Sequence, residues 1–359
     1  MRKTLIVLAF TTACSSATRQ PVAPQGAPVA AQAVTTAGPP PWAYGFAAAA
    51  APVAASATAA PAGGRGGAPG GAGGGGRGGA APPPDTTKRT VAGSGLSFTL
   101  TQVRDTYGPA DWFPGDHGEM PALVAHGKRE AQVLACSLCH YPNGKGRPEN
   151  AAVSGLPASY FVQTMLDFKN DMRRSADGRK TNTARMIAFA KAMTDDEIRA
   201  AAAYFGAIKW TPWVKVVETD AVPKTRIAGG LFIALEGADA GTEPLGRRII
   251  EVPADAEQTE TLRNPRSPFI AYVPRGSLAA GERLAQRGQC ALCHGQDLRG
   301  IGPVPGIAGR SPSYIVRQLF DMQSGARKGT WSELMKAAVA PLSADDMIAV
   351  AAFAGSRAP

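Results

Sequence analysis

The feature that most constrains this chain of 359 residues is an internal repeat. Gly127–Gln132 leads into Cys136-Ser137-Leu138-Cys139-His140, and Gly281–Gln286 leads into Cys290-Ala291-Leu292-Cys293-His294. An offset of 154 positions holds without a gap through Gly155/Gly309, Ser159-Tyr160/Ser313-Tyr314, Asp167/Asp321 and Arg173/Arg327. It then falls to 149, where Met186 meets Met335, Met193-Thr194 meets Leu342-Ser343, and Tyr204 meets Phe353. The fold is therefore one domain used twice, with the copies differing by five residues in a single loop.

Each copy reads as three helices. The first precedes and enters the Cys pair. The second starts near Ser159 or Ser313, with apolar residues at helical spacing: Phe161, Met165 and Phe168, or Ile315, Leu319 and Met322. The third begins at Thr194 or Ser343, both good N-caps, each with an acid three residues on. Thr194/Glu197 is a capping box and Ser343/Asp346 a weaker relative. Between the copies, Trp210 to Leu278 holds several Pro and three apolar runs, Leu231–Leu235, Arg248–Val252 and Phe269–Val273, which are candidates for brief strands. Leu96 to Met120, with Trp112 and Phe113, reads as a wrapping extension.

Cysteines at i and i+3 lie near one another on a helical turn. They can bond the two vinyl groups of one haem, with the next residue, His140 or His294, under the iron as proximal ligand. This spacing is the signature of c-type haem attachment. Two Cys-x-x-Cys pairs are also zinc spacing, but a His follows each second Cys, and each pair sits in its own copy. Disulfides or thioredoxin-like redox pairs are the other alternative, and no βαβ pattern surrounds them. The loop after each His is rich in Gly and Pro, which lets backbone approach a ring closely.

On these residues the chain resembles the bacterial diheme members of the class I cytochrome c family, over about 115 residues of the first copy and 80 of the second. The family sequence ahead of the last helix, Met-x-x-x-Ala-x-x-Leu-Ser-Asp, corresponds here to Met186 to Asp195. The second copy has Met335 to Ala344, with Val339 for the Ala and Ala344 for the Asp. The resemblance implies Met186 and Met335 as distal iron ligands and a Pro carbonyl as acceptor for the proximal His, with Pro148 and Pro303, or Pro305, as candidates. Of the nine Met, only these two hold matched places in both copies. Met165, Met172, Met193, Met322 and Met347 fit a core role. His117 and His126 are rival ligands without counterparts in the second copy.

The expected fold is mainly α: two tandem class I cytochrome c domains of three core helices each, 91–209 and 279–359, joined by an irregular segment, 210–278. Met1 to Ala13 has a basic start and an apolar core, a secretory signal too short for a permanent span. No later segment reaches the roughly 18 apolar residues of a membrane helix. Thr11-Thr12-Ala13-Cys14 resembles a bacterial lipoprotein cleavage site, which makes Cys14 a lipid anchor. Residues 14–90 read as a disordered Ala/Pro/Gly tether.

The formal charge of +10 suggests nucleic acid, but Arg2, Lys3, Arg19, Arg65 and Arg77 account for half of it, leaving about +5 on 85–359. The propionates of two haems would offset most of that, which argues against a nucleic-acid binder. The expected function is periplasmic, membrane-anchored electron transfer by two covalently bound haem c groups. The expected partners are a periplasmic or membrane dehydrogenase and a downstream cytochrome or oxidase. The alternatives are a cytochrome subunit of a larger dehydrogenase complex and a diheme peroxidase. The latter would need an open iron site.

Overall fold

The computed structural model describes residues 38–47 and 85–359. The signal peptide 1–13, Cys14, and the stretches 14–37 and 48–84 of the expected tether lie outside the described residues.

The extension before the first Cys pair contributes one helical turn, α1 (Leu100–Val103), capped reciprocally by Thr99 and Gln102. Trp112 is buried and donates its indole N–H to Leu262 O at 2.7 Å. Together with Val91, Val103 and Phe113 it forms a small core around Leu262. The expected wrapping role of this extension is thus realised against the segment between the repeats.

The first repeat runs through α2 (Ala122–His126), α3 (Cys136–His140), α4 (Ala158–Lys169), α5 (Thr181–Ala192) and α6 (Asp195–Ala207). The second runs through α7 (Ser277–Arg287), α8 (Cys290–His294), α9 (Pro312–Gln323), α10 (Glu333–Val339) and α11 (Ala344–Ser356). The lead-in helix is continuous only in the second repeat, where Gly281 lies against the Ala349 backbone of α11, too close for a side chain. Its counterpart Gly127 instead takes φ +64° and ends α2. A 3₁₀ turn, Arg129–Ala131, then brings the chain to α3.

Both final helices carry complete capping boxes, including Ser343 with the shorter Asp346. The helices α5 and α10 were not among the three expected in each copy. Their weak apolar patterning hid them, and they are the elements that carry Met186 and Met335.

All three apolar runs between the repeats form strands. In chain order these are β1 (Val214–Glu218), β2 (Ala221–Pro223), β3 (Thr225–Ala228), β4 (Leu231–Ala234), β5 (Thr242–Pro244), β6 (Ile250–Pro253) and β7 (Phe269–Val273). A three-stranded sheet has the order β1-β7-β6, with β1 parallel and β6 antiparallel to β7. The hairpin β3/β4 and the two-stranded antiparallel pair β2/β5 that encloses it in sequence form two further small sheets. A short hairpin, β8 (Gly300–Ile301) with β9 (Val304–Pro305), follows the second His.

One face of strand β7, that of Phe269, Ala271 and Val273, is shared along its length between two cores. Ala271 and Val273 join the core of the second repeat. Phe269 packs with Trp213, Leu231 and Tyr141, the residue after the first His. The segment is therefore an ordered spacer braced against both repeats. Among the described residues, no single helix is long and apolar enough to cross a membrane.

One part of the expected tether is ordered. Pro41–Tyr44 forms a 3₁₀ turn whose Trp42, Ala43 and Tyr44 are buried in the second repeat's core. Tyr44 donates its hydroxyl to Asp321 at 2.7 Å, and Arg317 donates to Ala43 O at 2.6 Å. Composition pointed to disorder because Ala and Pro dominate the window. Two aromatic side chains suffice to anchor this turn by apolar burial.

Candidate haem centres

Each Cys-x-x-Cys-His sequence forms a five-residue helix, so that both cysteines and the histidine project from a little more than one turn. Cys136 and Met186 pack against one core, that of Phe161, Met165 and Phe205. Cys290 and Met335 pack against the other, that of Ile315, Leu319 and Met347. Both methionines are partly buried. Of the methionines assigned to the core, Met165, Met193, Met322 and Met347 are buried, whereas Met172 is exposed.

His140 Nδ1 bonds Ala151 O at 2.8 Å, and His294 Nδ1 bonds Pro305 O at 2.8 Å. Each bond fixes its ring and directs Nε2 as the free ligand nitrogen. Ala151 and Pro305 are themselves 154 positions apart, so the orientation device is part of the repeat. Pro148 does not serve, because its carbonyl accepts from Arg317 at 3.1 Å. Pro303 is exposed on the β8/β9 hairpin. A backbone carbonyl leaves no side-chain signal, which is why the sequence could not single out Ala151. Burial pulls both imidazoles below the usual histidine range, against the upward pull of these carbonyls, so each ring is neutral and able to ligate.

The rival histidines are engaged elsewhere. His117 pairs with Asp111 at 3.0 Å and packs edge-on against Tyr204, and His126 is exposed. The zinc alternative fails on geometry: among the described residues, no three His, Cys, Asp or Glu side chains converge. Burial also pushes the Cys136 thiol up to about 12.

A test of fit for haem comes from charge. Arg173, Arg310 and Arg327 meet between the two repeats with no carboxylate in ion-pair reach among the described residues. Arg173 donates to Tyr314 OH at 2.9 Å and Arg327 to Tyr160 OH at 2.9 Å, a reciprocal cross-pairing of the repeat. Both also reach Gln318, and Arg310 donates to Ala152 O and Ser154 O. Arg327 Nε is buried without a partner. Burial drags Arg310 down to about 10. Burial opposes ionisation of the Tyr160 phenol, but Arg327 and then Arg173 prevail and lower it.

Buried cations without anions are costly, and haem c brings two propionates. The residues present fit the group: thiols for its vinyls, an oriented imidazole for its iron, and unpaired guanidinium groups for its acids. The sequence marked Tyr160/Tyr314 and Arg173/Arg327 as matched positions. It gave no sign that they meet each other.

The two centres differ in cover. Over the first, Arg263 donates to Leu138 O, Asn150 donates to Cys139 O at 3.4 Å, and Arg147 bridges Glu149 and Glu260. Over the second, Leu292 is 72% exposed.

The cytochrome c family profile matches residues 124–209. Cytochrome c-554(548) of Halomonas halodenitrificans is 35% identical over 83 residues, which is 98% of that protein and 23% of this chain. The thiosulfate dehydrogenase electron acceptor of Stutzerimonas stutzeri is 30% identical over 154 residues, covering 71% of that protein and 35% of this chain. Among solved structures, the thiosulfate dehydrogenase of Marichromatium purpuratum aligns over 66% of this chain and 39% of its own, at 24% identity and a TM-score of 0.41. Reduced cytochrome c4 of Pseudomonas stutzeri aligns over 62% and 93%, at 18% identity and a TM-score of 0.40.

The chain belongs to the cytochrome c family. It is a haem protein whose business is electron transfer, with the haem held covalently.

Proposed function

We propose that this chain is a diheme relay, two tandem cytochrome c domains at 91–209 and 279–359 braced by 210–278. In this reading it takes electrons from a dehydrogenase and passes them to a downstream carrier or oxidase. The observation that carries the reading is duplication of the complete proximal apparatus. Cys136, Cys139 and His140 with its Ala151 acceptor recur as Cys290, Cys293 and His294 with Pro305, at one offset and one bond length. The buried arginines between the repeats support a group with acidic edges in each.

Each haem would supply a one-electron iron couple. The protein's residues do the rest. His140 and His294 would ligate the iron as oriented neutral imidazoles, and Met186 and Met335 would offer soft thioethers, which favour a high potential. Arg173, Arg310 and Arg327 neutralise acid groups at the seam. A histidine and a methionine ligand on each iron would leave no coordination site for a substrate, which favours a relay over a peroxidase.

A relative named as an electron acceptor for thiosulfate dehydrogenase favours an inorganic-sulfur dehydrogenase as donor. That also keeps open the reading as a cytochrome subunit of such an enzyme. We place the protein in the periplasm, held to a membrane through acylated Cys14. One measurement tests the composition: the intact mass of protein from the native membrane fraction should equal the chain from Cys14 with two haems and its acyl groups. A single haem sinks the diheme reading, and a mature N-terminus at another residue sinks the anchor.

A further inference from the structure

The chain has six exposed large apolar side chains among the described residues, and three of them lie on the segments that hold the second Cys-x-x-Cys-His site. Leu292, 72% exposed, sits between Cys290 and Cys293. Ile301, 54% exposed, is on the β8/β9 hairpin that supplies the Pro305 acceptor for His294. Leu334, 79% exposed, immediately precedes Met335.

The first repeat has no such surface. The position matching Leu292 is Leu138, partly buried under Arg263. Ile301 corresponds to Arg147, which is ion-paired to Glu149 and Glu260. Leu334 corresponds to Arg185. Two copies of one domain have thus diverged at the same three places, one towards cover and charge, the other towards open apolar surface.

Water-facing leucines and isoleucine carry a solvation cost that folding of the chain does not relieve, and three of them on the segments of one site point to that site as a place of interaction. We propose that the second site is the docking face of this protein. Its occupant is a redox protein that presents an apolar patch within a rim of carboxylates. The inference rests on the diheme reading and adds which of the two ends meets the partner.

Charge selects the occupant. Among exposed side chains of 277–359, Arg283, Arg287, Arg299, Lys328 and Arg357 have no carboxylate in ion-pair reach among the described residues. Only Glu282 and Asp297 oppose them, because Glu333 and Asp345 are already paired with Lys336 and Arg247. Five cations against two acids suit an acidic partner and steer its approach. They also disfavour a second copy of this chain, since a symmetric contact would set the excess positive charge of this repeat against itself. Electron transfer needs a partner close to a haem-bearing segment, and at the first site Arg263 and the Arg147–Glu260 bridge stand in the way.

The probe is plastocyanin with an acidic patch, mixed in its Cu(II) form with fully reduced holoprotein under stopped flow. One electron leaves ferrous haem and reduces Cu(II) to Cu(I). Leu334→Glu and Ile301→Glu should each lower the second-order rate constant at least tenfold, with haem content and both potentials unchanged. Arg185→Glu, the matched change at the first site, should stay within twofold of wild type. The wild-type rate should fall as NaCl rises.

A rate lost equally in Arg185→Glu, a rate retained in both apolar variants, or a rate that climbs with salt overturns the docking face. So does sedimentation of wild type, but not Leu334→Glu, with phosphatidylglycerol vesicles while both oxidise plastocyanin equally; that result assigns the patch to a membrane surface. Failure of the diheme reading is recorded separately, as fewer than two haems per wild-type chain before mixing.

Discussion

Removing one oxygen atom from Tyr44 tests whether the buried turn at Pro41–Tyr44 is a structural clamp. The Tyr44 hydroxyl donates to Asp321 Oδ1 at 2.7 Å. Asp321 is 4% exposed, and its remaining donors are the Ala176 backbone N–H at 2.9 Å and Gln318 at a long 3.3 Å. Burial already raises the Asp321 carboxyl, so it has little solvation to lose.

Tyr44→Phe keeps the ring in its place and opens almost no cavity, so the change isolates the hydrogen bond. A bond to a charged or strongly polar buried acceptor contributes about 1.5–3 kcal/mol. The variant should therefore lose about 2 kcal/mol, a factor of roughly 30 in the folded-to-unfolded ratio. For a chain of this size that corresponds to a drop in Tm of about 4 °C.

Guanidinium unfolding of the holoprotein, followed by tryptophan fluorescence, gives the number directly. A double-mutant cycle with Asp321→Asn should return a coupling of about 1 kcal/mol or more, because the two groups share one contact. Trp42→Ala, which empties a buried indole site beside it, should cost more, about 3–5 kcal/mol. If Tyr44→Phe unfolds within about 0.5 kcal/mol of wild type and the cycle is additive, the turn merely rests on the core and the clamp is wrong.

Two further outcomes follow from the sites and the seam. Met186→Ala and Met335→Ala should each abolish the near-infrared sulfur-to-iron band of one haem and lower that haem's potential, with both thioether attachments intact; a band that survives in either variant removes that methionine from the ligand set. Lys180 is 5% exposed, and burial, aided by Arg317, depresses its ammonium to about 7 against the opposing pull of Glu149 and Asp177. Its folded pKa lies below the unfolded one, so its contribution is present at high pH and is lost as pH falls towards 7, by at most about 5 kcal/mol. Lys180→Met should therefore gain stability relative to wild type between pH 10 and 7, and a difference that stays constant across that range refutes the assignment.

The repeat, the two helical Cys-x-x-Cys-His turns and the capped final helices were legible in the sequence because each depends on local geometry. Cysteines three apart meet on a helical turn wherever that turn sits, and Thr194 or Ser343 caps the helix that follows it whatever that helix packs on. The three apolar runs between the repeats likewise announced strands β4, β6 and β7. Strand β1, with Lys215 inside it, is made by its parallel pairing to β7, a partner 55 residues away.

What only tertiary structure decided is where unlike segments meet. Ala151 orients His140 through a main-chain oxygen that any residue could supply. Arg173 and Arg327 face each other's tyrosines because two similar surfaces of the repeat are apposed about their own axis, and nothing in either copy alone encodes that contact. Trp42 and Tyr44 leave a stretch of alanine and proline to fill the second repeat's core, where loss of apolar surface to water outweighs a composition that favours disorder. The difference between the two centres is also tertiary, since Arg263 covers the first motif from more than a hundred residues away while nothing comparable covers Leu292 among the described residues. Local chemistry follows the chain, whereas cover, charge compensation and the choice of an exposed end depend on long-range packing, which pairs residues by shape and by the cost of buried polarity rather than by position in sequence.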